Sequence, residues 1–178
     1  MSNLFDRLYD HYHQDLFQFI YYMVKDREAT EDLIQEVYVK VMKSYSSFKG
    51  ESSEKTWLFS IAKHVTFDHF RKQKRLKDRI YDLFDMGERG QTIRDPEPLP
   101  EELVMKSDEV KELYYHLDTC SPNQRSVLIL RYIQERSIKE TAAILNWSES
   151  KVKTTQHRGL RALKQSWDGT TEGGEKID

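Results

Sequence analysis

The sequence predicts an all-α protein made of two small helical domains that are joined by a flexible acidic linker. Glycine is scarce, at seven of 178 residues, and alternating β-branched runs are nearly absent. Apolar residues instead recur at the spacing of a single helix face, as in Leu16, Phe19 and Met23. Three of the four prolines and two glycines fall within one stretch, DMGERGQTIRDPEPLP, which divides the helical regions.

This breaker-rich stretch sets the predicted domain boundaries. We predict a first helical domain over residues 1–80, a linker over 81–105, a second helical domain over 106–167 and a disordered tail over 168–178. The N-terminus lacks a signal-peptide layout, and no apolar run is long enough for a bilayer helix. Cys120 is the only cysteine, so an internal disulfide is excluded. These features favour a reducing, cytoplasmic location.

The net charge of −2 conceals four blocks of alternating sign. Residues 1–36 carry −5 and residues 82–112 carry −6, whereas residues 63–80 and 136–167 each carry +5. A single basic run is usually a solvated helix face. Two matched basic blocks, separated by acidic ones, indicate two binding sites for a polyanion.

The second domain contains the pattern of a helix-turn-helix, in SIKETAAILNWSESKVKTTQHRGLRAL. Ser137 begins a capping box with Glu140, and SPNQ at 121–124 begins an earlier helix in the same way. Asn146 stands at the turn, where a residue that tolerates the left-handed conformation is needed. Ser148 is placed to cap the second helix of the motif.

That second helix has an apolar stripe made of Val152, Gly159, Leu160, Leu163 and Trp167. The opposite face holds cations and hydroxyls without an acid, which suits the major groove of DNA. A helical hairpin with an ordinary polar outer face is the alternative. The residues that we assign to DNA contact are Ser150, Lys151, Lys153, Thr154, Thr155, His157, Arg158 and Arg161.

The first domain contains a second candidate surface, in the stretch HVTFDHFRKQKR. As one helix from Trp57 to Arg75, it buries a stripe of Leu58, Ile61, Ala62 and Val65. An adjacent stripe holds Trp57, His64, Asp68, Arg71 and Arg75, and the side away from the core holds Lys63, Phe67, Phe70 and Lys74. Aromatic rings among cations are suited to single-stranded nucleic acid, because bases stack on rings while phosphates meet Lys and Arg.

Two details of this helix have more than one interpretation. Phe67 and Phe70 are either stacking platforms for bases or packing residues against another helix of the same domain. Asp68 either pairs locally with Arg71 or Lys72, three and four residues on, or accepts a hydrogen bond from a base amino group.

Three motifs of this sequence, and the order in which they occur, resemble those of extracytoplasmic-function (group IV) sigma factors. The resemblance is greatest to the sigma-X type of Gram-positive bacilli. The three motifs are TEDLIQEVYVKV, SSFKGESSEKTWLFSIAKHVTFDHFRKQKR and SPNQRSVLILRYIQERSIKETAAILNWSESKVKTTQHRGLRALK. The resemblance covers about residues 4–165. It implies a sigma2-like helical bundle, a sigma4-like helix-turn-helix domain and a flexible linker between them.

The resemblance also implies roles for residues and partners. A D-x-x-Q-E helix, here Asp32, Gln35 and Glu36, would bind the β′ clamp helices of core RNA polymerase, and the β flap is a further partner. The helix from Ser150 to Arg161 would read the promoter −35 element. An anti-sigma factor, membrane-bound in this family, is expected. The −10 element would be contacted by Trp57, Lys63, His64, Phe67, Asp68, Arg71, Lys72, Lys74 and Arg75. At the position of His64 the family commonly has asparagine.

The same residues bear on other classes of function. The six histidines show no metal spacing, and no phosphate loop or nucleophile motif occurs, so we expect no enzyme, no cofactor and no small-molecule substrate. Cys120 precedes a capped helix, which lowers a thiol pKa in some proteins. The main alternative is a stand-alone helix-turn-helix regulator that binds duplex DNA without polymerase. A helical protein-interaction adaptor is a third possibility.

Overall fold

The computed structural model describes residues 2–84 and 108–172. Within these residues, the regular secondary structure is entirely helical, which confirms the predicted all-α class. Short turns at Tyr45–Ser47 and Leu117–Thr119 and a π-helical turn at Ile129–Ile133 join some of the helices. The α-helices are α1 Ser2–Val24, α2 Arg27–Ser44, α3 Glu54–Phe84, α4 Asp108–His116, α5 Pro122–Leu128, α6 Ile138–Leu145 and α7 Glu149–Glu172.

Helices α1, α2 and α3 form the first domain around a core of apolar side chains. The predicted α1 stripe is confirmed, because Leu16, Phe19 and Met23 are all fully buried. Asp26 begins α2 by accepting a hydrogen bond from the Ala29 amide at 2.9 Å. The predicted core stripe of α3 is buried at Leu58, Ala62 and Val65 and partly buried at Ile61.

Two helices run past the predicted domain boundaries. Helix α3 continues to Phe84, so residues 81–84 of the predicted linker are helical, because no glycine or proline interrupts the chain there. Helix α7 continues to Glu172, so residues 168–172 of the predicted disordered tail are helical as well. Trp167 stacks on the His116 ring of α4 at 5.2 Å and anchors this last part of α7. Residues 85–105 of the linker and 173–178 of the tail lie outside the described residues.

The second domain has the predicted helix-turn-helix geometry. Ser121 and Ser137 each form a complete capping box, with Gln124 and Glu140 respectively. Asn146 ends α6 in the left-handed conformation, with φ of 56°. The Ser148 hydroxyl accepts a hydrogen bond from the Lys151 amide at 3.1 Å and so caps α7. Local sequence therefore determines where these helices begin and end.

Gly159 lies where α7 packs closely against α5. A Cβ added there would lie 3.1 Å from Leu128 Cδ1, and Leu128 is fully buried and has little room to shift. We expect Gly159→Ala to lower the free energy of unfolding by about 1–2 kcal/mol, because overpacking outweighs a helix-propensity gain of up to ~1 kcal/mol. Urea unfolding of this variant measures the loss. Gly169→Ala is the control, because its new Cβ meets no atom within 4 Å. Equal stability of the two variants would contradict the prediction.

The two domains lie against each other. Helix α1 contacts α5 and the π-helical turn of the second domain, and α3 contacts α6. Cys120 is buried within the second domain, where its Sγ lies 3.8 Å from the Gly159 carbonyl oxygen. Burial raises the pKa of its thiol, so its position before α5 does not activate it.

Candidate nucleic-acid interface

Helix α3 presents most of the predicted −10 surface to solvent. His64, Arg71 and Arg75 are exposed, as are Lys72 and Lys74. Trp57 is half-buried instead, because it stacks on Phe48 at 4.8 Å and meets Tyr45 edge-on at 5.9 Å. The exposed part is therefore a row of four cations, Arg71, Lys72, Lys74 and Arg75, preceded by His64.

Asp68 lies between His64 and this row. It pairs locally with Lys72 and Arg71, which is the first of the two interpretations that the sequence allowed. Its carboxylate lies 3.1 Å from Lys72 Nζ and 3.7 Å from an Arg71 guanidinium nitrogen. The hydrogen bond from Lys72 holds the pKa of Asp68 below its usual value. The side chain is a third exposed, so the ionised carboxylate stays available as an acceptor.

The aromatic side of α3 is partly covered in this structure. Phe67 and Phe70 are half-buried, and Lys63 Nζ lies 5.0 Å from the Phe67 ring centroid. The Arg125 guanidinium of the second domain lies 5.8 Å from the Phe70 ring. The expected alternative to base stacking was packing within the same domain. In the structure both rings pack against buried core residues, and Phe70 also lies against Arg125 of the second domain.

Helix α7 presents the predicted −35 residues along its outer face. Arg158 and Arg161 are exposed, as are Ser150, Lys151, Lys153, Thr154 and His157, whereas Thr155 is half-buried. The start of this face borders a polar cleft of about 460 Å³ that α5 completes. Residues of α5 and its cap were missed by the sequence prediction, although the SPNQ motif marked the start of that helix. The cleft is lined by Ser121, Asn123, Gln124, Ser148, Ser150, Lys151, Thr154, Thr155 and Arg158.

The predicted apolar stripe of α7 is only partly buried. Val152 and Leu163 are buried, but Leu160 and Trp167 are each 39% exposed. Both lie on an apolar groove of about 540 Å³ between α4 and α7, which Tyr132 also lines. A helix-period pattern predicts apolar side chains on one face, but a groove at the edge of that face leaves some of them in solvent.

Helix α2 carries the predicted polymerase-binding residues on its outer side. Asp32 and Gln35 are exposed, and Glu36 is partly exposed with its carboxylate 3.7 Å from Lys40 Nζ. This side of α2 lies next to the −10 helix. The positive charge of Lys40 contributes to lowering the pKa of Asp68, and the negative charge of Glu36 acts on His69. The two predicted surfaces of the first domain are therefore neighbours.

Comparison with known proteins assigns both domains. Residues 8–76 match Sigma-70 region 2, and residues 117–165 match Sigma-70 region 4. The ECF RNA polymerase sigma factor SigX of Bacillus subtilis (strain 168) is 56% identical over 165 residues, which cover 93% of this chain and 84% of SigX. The chain belongs to the Sigma-70 family, in its extracytoplasmic-function group.

Further relatives agree with this assignment. RNA polymerase sigma factor YlaC of the same organism is 32% identical, over 93% of this chain and 92% of YlaC. The fold is similar to that of RpoE from Bartonella quintana, solved with the anti-sigma factor NepR. That match has a TM-score of 0.73 and 22% identity, and it covers 93% of this chain and 96% of RpoE. The predicted resemblance is confirmed, and a sigma factor is favoured over a stand-alone regulator.

This sigma factor therefore belongs to a family whose members bind DNA and act in transcription initiation, and which is not a family of enzymes. Across residues 2–84 and 108–172, no helix is both long and apolar enough to cross a membrane. The same part of the chain holds no group of three or more His, Cys, Asp or Glu residues placed to bind a metal ion.

An aromatic cluster beside the α2 surface was missed by the sequence prediction. The His13 ring stacks on Tyr9 at 4.1 Å and its Nδ1 lies 2.8 Å from the Tyr38 hydroxyl. Together with Phe5 and Phe17, these side chains line a cavity of about 590 Å³ that extends to Gln35. An aromatic ring at every fourth position from Phe5 was the signal, because residues four apart share a helix face.

His13 is expected to make the stability of this sigma factor depend on pH. Burial lowers the pKa of His13 in the folded protein. As the pH falls through about 6.5, the unfolded chain therefore binds a proton at this position more readily than the folded protein does. The free energy of unfolding should therefore fall as the pH drops from about 7 to 5.5. His69, whose pKa burial also lowers, acts in the same direction.

The variant His13→Gln isolates the contribution of His13, since Gln keeps a polar partner for Tyr38 without titrating in this range. Urea unfolding at a series of pH values should give a shallower loss of stability for H13Q than for the wild-type protein. An identical slope would contradict the prediction.

Proposed function

We propose that this sigma factor directs core RNA polymerase to promoters through two DNA-binding surfaces and a separate polymerase-binding surface. The observation that carries the proposal is the arrangement of charge. Basic rows lie on α3 and α7, in different domains, whereas Asp32, Gln35 and Glu36 form a separate acidic and amide surface on α2. A protein that bound DNA alone would have no use for the third surface.

The first domain would bind the −10 element and help to open it. The exposed cations from Arg71 to Arg75 would follow the phosphates, and the rings of Phe67 and Trp57 would supply surfaces for unstacked bases. Asp68 would accept a hydrogen bond from a base amino group, since its carboxylate stays ionised beside Lys72.

The second domain would read the −35 element with α7 in the major groove. Arg158 and Arg161 have the length and donor geometry to recognise guanine, and Thr154 and Lys151 would hold phosphates beside the polar cleft. The apolar groove with Tyr132, Leu160 and Trp167 is the surface that we assign to the β flap of polymerase.

The β′ clamp helices would bind Asp32, Gln35 and Glu36 on α2. These residues suit basic partners, because they present carboxylates and an amide beside a buried stripe. Since polymerase acts in the cytoplasm, we propose this location for the protein. We also propose control by an anti-sigma factor, membrane-bound as the family resemblance implies, which would hold the protein inactive until a signal releases it.

Run-off transcription with sigma-free core polymerase on genomic promoter fragments tests this function. Defined transcripts that appear only when the protein is added are expected, and their start sites would identify the −10 and −35 sequences. Specific binding of duplex DNA by the protein alone, with no transcript from core, would instead favour a stand-alone regulator.

A further inference from the structure

The first turn of α3 is fixed to α1 by two neighbouring ion pairs. Glu54 accepts two hydrogen bonds from the Arg7 guanidinium, at 2.7 Å and 3.0 Å, so this pair is bidentate. The next residue, Lys55, donates to Asp15 Oδ2 at 2.9 Å. Both pairs join α3 to α1 in the same way, but they differ in what else they hold.

The Arg7–Glu54 pair also holds a tyrosine. The Tyr45 hydroxyl accepts a hydrogen bond from Arg7 Nη2 at 3.1 Å and donates one to Glu54 Oε2 at the same distance. The hydrogen bond from Arg7 holds the pKa of Glu54 below its usual value, and hydrogen bonds from Tyr45 and Tyr12 act in the same direction. The Glu54 carboxylate is therefore ionised and held from several sides.

An acid at this end of a DNA-binding helix needs a compensating charge. Glu54 lies in the first turn of α3, where a free carboxylate would repel the phosphates that the cations of this helix attract. Arg7 neutralises the carboxylate from 47 positions earlier in the chain. The Arg7 side chain is 41% exposed, so solvent screens the pair and its contribution to folding stability is small. Its geometry therefore matters more than its energy.

Tyr45 positions the Trp57 ring in two ways. Its own ring meets the indole edge-on at 5.9 Å, and its carbonyl oxygen accepts a hydrogen bond from the amide of Phe48, whose ring stacks on the indole at 4.8 Å. The segment between Phe48 and α3 adds little support, because residues 49–53 are exposed and a Cβ added at Gly50 would meet no atom within 4 Å. The orientation of the indole therefore depends on Tyr45 and on the ring that Tyr45 places.

A fixed ring is what the proposed function requires of Trp57. A base that leaves the duplex stacks best on a ring that already lies in the right plane, because a ring that must first be ordered loses conformational entropy on binding. Residues that lock the rotamer of a contacting side chain therefore act on binding without touching the ligand. Arg7, Tyr45 and Glu54 are placed to lock Trp57 in this way.

We propose that Arg7, Tyr45 and Glu54 are positioning residues for promoter opening, which hold Trp57 in the orientation that receives an unstacked base of the −10 element. This role rests on the proposed function for its consequence, since only a protein that opens promoters needs the ring for a base. The orientation of Trp57 by these three side chains is a property of the free protein, and it can be measured without DNA or polymerase.

Glu54→Gln tests the role with a change that keeps the size of the side chain. It removes the charge and one of the two oxygens that accept hydrogen bonds from Arg7 and Tyr45. Tyr45→Phe is the second variant, since it keeps the ring and deletes only the hydroxyl. Asp15→Asn is the matched control, because it removes the same charge from the neighbouring pair between α1 and α3, which Lys55 rather than Tyr45 completes.

Fluorine NMR of the full-length protein, labelled with fluorotryptophan, measures the orientation of Trp57. The chain has three tryptophans, and the resonance that Trp57→Phe removes is that of Trp57. E54Q and Y45F should shift and broaden this resonance and leave those of Trp147 and Trp167 in place, whereas D15N should change none of the three. An unshifted, sharp Trp57 resonance in E54Q and Y45F would overturn the positioning role.

Promoter opening with core polymerase measures the consequence. A fluorescent base analogue in the −10 element of a promoter found by run-off transcription reports the rate at which bases unstack. We expect E54Q and Y45F to open this promoter about fivefold more slowly than the wild-type protein, because the ring that receives the base is no longer held in place. D15N should open it at the wild-type rate. Equal rates in E54Q, Y45F and the wild-type protein would overturn the role in opening.

A template whose −10 element is already unpaired by mismatches separates positioning from general damage to the protein. E54Q and Y45F should give the wild-type yield of transcript on this template, whereas a loss of folded protein or of polymerase binding would lower the yield on both templates and overturn the role. If the wild-type protein gives no transcript with core polymerase on any fragment, the proposed function fails. The fluorine spectra then still decide whether the three residues orient Trp57.

Discussion

Arg158→Ala is expected to reduce transcription from promoters with an intact −35 element by about 5- to 150-fold, which corresponds to roughly 1–3 kcal/mol for one lost bidentate base contact. Arg158 is exposed on α7 at the edge of the polar cleft, so its guanidinium is accessible to a partner. Run-off transcription on paired templates, with the −35 element intact or replaced, measures the loss.

Lys111→Ala is the control for this experiment. It removes one positive charge from the same domain, but Lys111 lies on α4 and pairs with Asp108 at 3.8 Å, away from the cleft. Transcription should change little in this variant. If R158A lost no more activity than K111A, or lost as much on templates without the −35 element, Arg158 would not read bases.

Glu36→Lys is expected to weaken binding to core polymerase by about 2–5 kcal/mol, or at least about 30-fold, if Glu36 faces a basic partner side chain. The reversal also places two lysines four residues apart, at positions 36 and 40, which costs the helix only about 0.5 kcal/mol. The domain should therefore stay folded. Co-purification with tagged core polymerase and a competition assay against the wild-type protein measure the affinity.

Asp10→Lys makes the same change of charge on the exposed side of α1 and serves as the control. It should retain near-normal affinity for core, and both variants should keep the helical circular dichroism of the wild-type protein. Normal co-purification of E36K would exclude Glu36 from the polymerase interface.

Local chemistry accounts for the parts of the molecule that were predicted well. Ser121 and Ser137 form the predicted capping boxes, and Asn146 adopts the predicted left-handed conformation, because each depends on residues within a few positions along the chain. The core stripes of α1 and α3 were predicted for the same reason, since a helix face repeats every three or four residues. The family was also predicted from local information, because each motif that carries the resemblance is contiguous in the sequence.

The features that the sequence did not predict concern side chains whose surroundings come from distant parts of the chain. Leu160 and Trp167 share a face with Val152 but lie at a groove that α4 borders, so helical period alone could not place them in solvent. The cluster around His13 depends on Tyr38 from another helix. The stacking of Trp167 on His116, just before the last turns of α7, likewise joins residues from two helices.

The order of residues along the chain is enough to predict the helices, their caps, the two basic faces and the family to which the protein belongs. Which of those faces is accessible depends on contacts between residues that are far apart in the sequence. Met23 and Arg125 are 102 positions apart, and Lys25 and Tyr114 are 89 positions apart, yet hydrogen bonds within these pairs bring the second domain over Phe70. Periodicity describes one helix at a time, whereas the partner that covers a face is decided by packing between helices from both domains.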